Sequence, residues 1–258
     1  MIPIKTPKEI DRMRESGRHA AEIIAALAEL VRPGVTTGDI DSAAADLMSQ
    51  RHCTSAFLGY KGFPGYICIS LNEEVVHGIG GKRRIQYGDI VKLDVGVFFQ
   101  GYVGDNATTV AAGAVDSKIQ QLLEATESSL YLAIKQAVPG NRVGHISSAV
   151  EDEIVANGFS VVREFVGHGV GRKLHEEPQV PNYGRPSSGA KLKPGMTLAI
   201  EPMVNMGTSA VKILGDGWTV VTADARPSSH FEHTVLITDG EPEILTWREK
   251  KPAAAVAS

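Results

Sequence analysis

The chain of 258 residues reads as two copies of one unit, and this repeat constrains the fold more than any other feature. Pro33-Gly34-Val35-Thr36-Thr37-Gly38-Asp39-Ile40-Asp41-Ser42-Ala43 lines up with Pro139-Gly140-Asn141-Arg142-Val143-Gly144-His145-Ile146-Ser147-Ser148-Ala149. The proline, both glycines, the isoleucine, a serine and the alanine match. Each copy lies where one helical pattern stops at Pro-Gly and the next begins. Farther on, Gly88 precedes Asp94 by the interval at which Gly195 precedes Glu201, and each acid is read inside an apolar strand. Two ordinary helix stops could match by chance. A true pseudo-twofold repeat predicts two similar half-domains that face each other, with Asp94 opposite Glu201 across a shared centre.

Local signals fill in the halves. Thr6-Pro7-Lys8-Glu9 is a capping box with proline at the first helical position. Ile10, Met13, Gly17, Ala20, Ile24, Leu27 and Val31 then recur at helical spacing until Pro33-Gly34. A second helix is expected over about 37–50, and a short strand over 66–71. Residues 90–99 alternate and residues 102–111 return after Gln100-Gly101, so a hairpin is expected with Asp94 and Asp105 on one face. Two more helices, from Asp116 and over about 144–157, precede strands at 159–163, 197–204, 218–222 and 233–237. The sequence reads as one α/β domain over 1–250 and a disordered tail over 251–258.

Hydrophobic residues make up 43% and charged residues 22%, the balance of a globular protein. The formal net charge of -4 gives no pointer to nucleic acid. Cys53 and Cys68 are too few for a disulfide framework, which suits a reducing compartment. No apolar run nears the roughly 20 residues that span a bilayer, and the first residues lack the apolar core of a secretory signal. A cytoplasmic location is therefore expected.

A carboxylate inside an apolar strand is costly unless it is paired or bound to a cation. Asp94 and Asp105 on one face would repel each other without one. His168 sits in Gly167-His168-Gly169-Val170-Gly171, where glycines let backbone approach the imidazole. These glycines do not follow the Gly-x-Gly-x-x-Gly phosphate pattern, and a histidine satisfied by a loop hydrogen bond stands level with a metal ligand as the reading of His168 alone. Glu201 in Leu198-Ala199-Ile200-Glu201-Pro202-Met203 and Glu232 in His230-Phe231-Glu232-His233-Thr234 add two acids. Together, four carboxylates and one imidazole suit a two-metal site, and histidine favours a first-row transition metal over calcium.

Seven motifs in order now carry a resemblance. They are Val75-Val76-His77-Gly78-Ile79, Lys92-Leu93-Asp94-Val95, Gly104-Asp105-Asn106-Ala107-Thr108, Gly167-His168-Gly169-Val170-Gly171, His175-Glu176-Glu177-Pro178, Ile200-Glu201-Pro202-Met203 and Glu232-His233-Thr234. From about Thr6 to Trp247 the chain closely resembles the type I methionine aminopeptidases. The resemblance implies the pita-bread fold, with two pseudo-symmetric α/β halves around a central antiparallel sheet and a dinuclear site. It implies removal of the initiator methionine from nascent proteins when the second residue is small.

By the same resemblance, Asp94 would bind one ion, His168 and Glu201 the other, and Asp105 and Glu232 would bridge. Cobalt, manganese, iron and zinc all tolerate such ligands. Glu201 would also shuttle a proton, His77 would contact the scissile amide nitrogen, and His175 would stabilise the carbonyl oxygen. Tyr60, Phe63, Cys68 and Trp218 would form the methionine pocket, with Phe57 and Leu174 where bacterial relatives often have cysteine and phenylalanine. The implied partner is a nascent N-terminus, with a transient contact to the ribosome. Neither nucleic acid nor membrane is expected as a partner, and a monomer is expected. The first helix is expected almost at Met1, leaving no room for the zinc-binding extension of some relatives or the large N-terminal domain of Xaa-Pro peptidases. An Xaa-Pro aminopeptidase or dipeptidase and a non-catalytic pita-bread adaptor remain the alternatives.

Overall fold

Glu9 reaches back to the helix start as the capping box requires: its carboxylate accepts from the Thr6 backbone N–H and hydroxyl, both at 2.9 Å. With Pro7 in the first turn, this starts α1 (Pro7–Ala28). The computed structural model describes residues 2–247, so the tail expected at 251–258 lies outside the described residues. After α1 come α2 (Thr37–Gln50), β1 (Thr54–Ser55), β2 (Cys68–Leu71) and β3 (Glu74–Val76). The hairpin β4 (Ile90–Phe99) and β5 (Tyr102–Ala111) leads to α3 (Ser117–Lys135) and α4 (Val143–Ala156). Then follow β6 (Ser160–Val161), β7 (Gly167–Gly169), β8 (Glu176–Val180), β9 (Thr197–Ile200) and β10 (Met203–Asn205). β11 (Val211–Ile213), β12 (Val220–Thr222), β13 (Ser228–His230), β14 (Glu232–Leu236) and β15 (Glu243–Ile244) complete the described chain.

A nine-stranded sheet runs in the order β1-β4-β5-β14-β9-β7-β8, with β2 beside β4 and β15 beside β14. Its ladders are antiparallel. Each half has its own core. In the first, Ala20, Ile24 and Leu27 of α1 join Ile40 of α2 over Val91, Leu93, Val95 and Val97 of β4. In the second, Leu122 and Ala133 of α3 and Ile146 and Val150 of α4 join Leu198, Ile200 and Val235. Strand alternation places the apolar side chains of β4 under the helices, leaving Asp94 for the other face.

The repeat is present in the backbone. α2 and α4 have 14 residues each. Gly34 and Gly140 both adopt positive φ, +91° and +94°, at the stop before each helix. The Thr37 N–H donates to the Arg83 carbonyl, and the Val143 N–H to the Ala190 carbonyl, both at 2.9 Å. Thr36 bridges Arg84 as Arg142 bridges Lys191. Gly88 and Gly195, at +89° and +85°, turn the chain into the segments that end at Asp94 and Glu201.

Three expectations change. The strand expected over 197–204 divides at Glu201-Pro202 into β9 and β10, because Pro202 has no N–H to continue the ladder. β10 then pairs with β13 and β6 in a separate sheet. Glu201 therefore stands at the break and not inside a strand. Trp218 lies outside β12, in a loop where the Asp216 carboxylate accepts from the Trp218 and Thr219 N–H groups at 2.8 Å. β8, unpredicted because it contains Pro178, is an edge strand, where proline is tolerated. Among the described residues, no helix is long and apolar enough to cross a membrane.

α1 sits on β5 at a place where only glycine fits. A Cβ at Gly104 would collide with the backbone carbonyl of Ser16. Gly104→Ala should cost about 1–3 kcal/mol through overpacking, lowering Tm by roughly 3–10 °C for a chain of this size. Scanning calorimetry reads this directly, and an unchanged Tm would show that the helix can yield there.

Candidate metal centre

Register explains why the acids meet. Across the sheet, Cys68 of β2 pairs with Asp94, Asp94 with Ala107 of β5, and Ala107 with Glu232 of β14. Asp105, two residues before Ala107, pairs with Gly96 and so shares their face. His168 of β7 and Thr234 of β14 both pair with Ala199 of β9, whose strand leads directly to Glu201. Thr234 fixes this arrangement, its hydroxyl donating to the Asp105 carbonyl at 2.7 Å.

The charges are unbalanced without a cation. Burial first, and then the neighbouring carboxylates, push Asp105, Glu201 and Glu232 well above the usual carboxylate range. Burial raises Asp94 to about 7. Among the described residues, Asp105 Oδ1 and Glu232 Oε1 have no hydrogen-bond partner. Buried oxygens left in this state are costly unless a cation takes them. Asp105, His168 and Glu232 each place a potential ligand atom within 4.8 Å of the others.

His168 is prepared for such a role. Its Nδ1 lies 2.8 Å from the Gly169 carbonyl oxygen, which can only accept, so Nδ1 carries the proton. The free electron pair of Nε2 then faces Glu201 Oε1 at 3.4 Å and Asp105 Oδ2 at 3.9 Å. Burial, with the His175 charge, lowers its pKa to about 3, keeping it neutral. A neutral imidazole with its second nitrogen anchored to a carbonyl is the form that binds metal. The donor set therefore fits divalent transition ions.

A cavity of about 220 Å³ opens over these acids. His77, Asp94, Asp105, His168, His175, Glu201 and Glu232 line it together with Tyr60, Phe63, Cys68 and Trp218, so every expected site residue is at one place. Phe57 and Leu174 are there too. Phe63 and Trp218 pack edge to face at 5.2 Å. Burial pushes the Cys68 thiol up, so it stays protonated and weakly polar. His77 takes a left-handed φ of +59° just after β3, backbone strain of the kind held at functional sites. Its ring meets Phe165 edge-on at 5.5 Å, and burial, then the His175 charge, lowers its pKa to about 4. The Tyr60 hydroxyl lies 2.9 Å from His175 Nδ1, and the His175 ring lies 4.2 Å from that of His168.

The cavity also contains residues that sequence reasoning missed, among them Phe165, Met203 and His230. Phe165 belongs to an irregular loop with no periodic signal. Met203 follows the strand break at Pro202. His230 was legible, because it precedes Glu232 by two residues, the spacing that returns a side chain to the same side of an extended chain.

Residues 11–239 match the model of metallopeptidase family M24. The chain is 48% identical over 246 residues to methionine aminopeptidase 1 of Bacillus subtilis, covering 95% of this chain and 99% of that one. It is 44% identical to the methionine aminopeptidase of Escherichia coli, covering 100% of this chain and 98% of that one. The crystal structure of methionine aminopeptidase from Thermotoga maritima superimposes with a TM-score of 0.95 at 44% identity, over 96% of this chain and all of that one. The prolidase from Pyrococcus furiosus shares the fold at a TM-score of 0.78 and 24% identity, over 96% of this chain and 66% of that one.

Proposed function

The chain belongs to metallopeptidase family M24, and from that premise we propose that it removes the N-terminal methionine from new proteins when the next residue is small. One observation carries this reading: buried carboxylates, two of whose oxygens have no hydrogen-bond partner among the described residues, and a neutral imidazole share a cavity with an apolar wall containing a thiol. A thioether side chain suits that wall. The identity of 44–48% to methionine aminopeptidases along almost the entire chain supports the same substrate.

Asp94, Asp105, His168, Glu201 and Glu232 would hold a pair of divalent ions. When bound, such a pair, of cobalt, manganese, iron or zinc, would supply hydroxide near neutral pH. Glu201, which lines the cavity beside these ligands, takes the proton of the attacking water and returns it to the leaving amine. The Tyr60 hydroxyl lies 2.9 Å from His175 Nδ1; with Nδ1 accepting that hydrogen bond, His175 keeps an Nε2–H to meet the developing charge on the carbonyl oxygen. His77 contacts the scissile amide nitrogen. Tyr60, Phe63, Cys68 and Trp218 enclose the methionine side chain, excluding water from it. The substrate is a nascent N-terminus in the cytoplasm, met by a monomer in transient contact with the ribosome.

The protein reconstituted with Mn²⁺ should release methionine from Met-Ala-Ser and leave Xaa-Pro peptides with another first residue nearly untouched. Faster cleavage of the Xaa-Pro peptides would overturn the assignment. A chain that binds no divalent ion and stays inactive would be an adaptor on the same fold.

A further inference from the structure

His230 has no part in the reading above, yet it lines the same cavity. Its imidazole is 2% exposed, and neither ring nitrogen has a hydrogen-bond partner among the described residues. Burying both nitrogens unsatisfied is costly, and such groups call for a specific explanation. The residue is fixed in place by its backbone. The Thr109 hydroxyl accepts from the His230 N–H at 3.0 Å and donates to the His230 carbonyl at 2.7 Å. This ties β13 to β5, the strand of Asp105. On its other side, His230 pairs with Met203, two residues beyond Glu201.

The side chain is aimed at Glu201. His230 Nε2 lies 3.8 Å from Glu201 Oε2, while His168 Nε2 lies 3.4 Å from Glu201 Oε1. One carboxylate is thus bracketed by two imidazoles, and the two differ in their outer nitrogen. His168 anchors its Nδ1–H on the Gly169 carbonyl and so offers an electron pair at Nε2. Among the described residues, His230 has no acceptor at Nδ1. Were its Nε2 to offer an electron pair to an ion, Nδ1–H would be a buried donor with nothing to receive it, the rarer kind of orphan. The other tautomer turns an N–H toward Glu201 and leaves only an unfilled acceptor behind. The gap must close by about 0.7 Å to reach an ordinary N–H···O bond.

We propose that His230 is a positioning residue for Glu201: its Nε2–H holds Oε2 and fixes the carboxylate while the oxygen facing His168 remains free for the metal and the proton. This rests on the reading of Glu201 as the proton-moving ligand.

Three measurements test it. In the unaltered chain, ¹⁵N-resolved NMR of His230 should show the proton on Nε2 before and after Zn²⁺ is added. A deprotonated Nε2 whose shift responds to Zn²⁺ would make His230 a ligand and overturn the proposal, whether or not any variant folds. His230→Leu should lower kcat on Met-Ala-Ser by about 10–100-fold, with KM changed less than about twofold and the Mn²⁺ stoichiometry by calorimetry unaltered. His230→Gln, which keeps an N–H at similar reach, should recover most of that loss. Parent-like turnover in the leucine variant, an equal loss in both variants, or loss of an ion in both overturns the role. If the unaltered chain binds no Mn²⁺ at all, the metal reading fails first and the role of His230 falls with it. Two-ion binding beside an unimpaired leucine variant overturns only the role of His230.

Discussion

Glu201→Gln should lower kcat on a methionyl peptide by about 10³-fold, within the 10²–10⁴-fold range of a lost general acid–base group. The substitution keeps the side-chain length and one carbonyl oxygen, and it removes the ability to take a proton. Two features make this position sensitive. Glu201 stands where Pro202 ends β9, so its backbone lies at a strand break and the side chain reaches the cavity. In the metal-free chain, burial and the charges of Asp105 and Asp94 push its carboxyl well above the usual range. KM should change little, because the apolar pocket that holds methionine does not involve this oxygen. Glu201→Ala should lose more, since it also removes a ligand, and Mn²⁺ calorimetry would show that second loss. Turnover within tenfold of the unaltered enzyme in the glutamine variant would remove Glu201 from the proton path.

Much of this was legible in the sequence because its cause is local. The alternation of residues 90–99 and 102–111 dictates which side chains share a face, so the meeting of Asp94 and Asp105 follows from the hairpin alone. The repeated Pro-Gly steps at Gly34 and Gly140, and the matched glycines Gly88 and Gly195, mark backbone turns that need positive φ, and all four adopt it. Those turns gave the pseudo-twofold relation that sets Glu201 against Asp94. What escaped depends on contacts distant in the chain. The division of residues 197–204 into two strands depends on β13 and β6 being available to β10. The edge position that tolerates Pro178 in β8 is a property of the sheet, not of the segment. Phe165 reaches His77 from an irregular loop, a contact no periodicity announces. The aromatic and sulfur wall at Tyr60, Phe63, Cys68 and Trp218 came from family likeness, because each residue alone reads as ordinary core.

Mn²⁺ should stabilise the protein far more at pH 8 than at pH 6. In the metal-free chain, burial raises Asp94 to about 7 and Asp105, Glu201 and Glu232 well above their ordinary values. The folded state therefore keeps protons that the unfolded chain has released above about pH 4. Their contribution to stability is full below that pH and is lost as pH rises through the folded values, about 7 for Asp94. The histidines act in the opposite direction. His77, His168 and His230 are lowered to about 4, 3 and 3, chiefly by burial. Their contribution is present above about pH 6.5, where the unfolded histidines are neutral, and is lost as pH falls toward 4 and 3. The two trends oppose each other between about pH 4 and 6.5, and above that the carboxylates alone make the metal-free chain less stable as pH rises. A divalent cation relieves that decline by occupying the ionised oxygens. At a free concentration one hundred times Kd, each ion adds about 2.7 kcal/mol, or roughly 5–10 °C in Tm for a chain of this length. At pH 6 the same ions must first displace protons from the carboxylates, so the gain should fall to half or less. Melting curves with and without Mn²⁺ at the two pH values decide the matter. Equal gains at both would mean that the ions bind somewhere other than among these four acids.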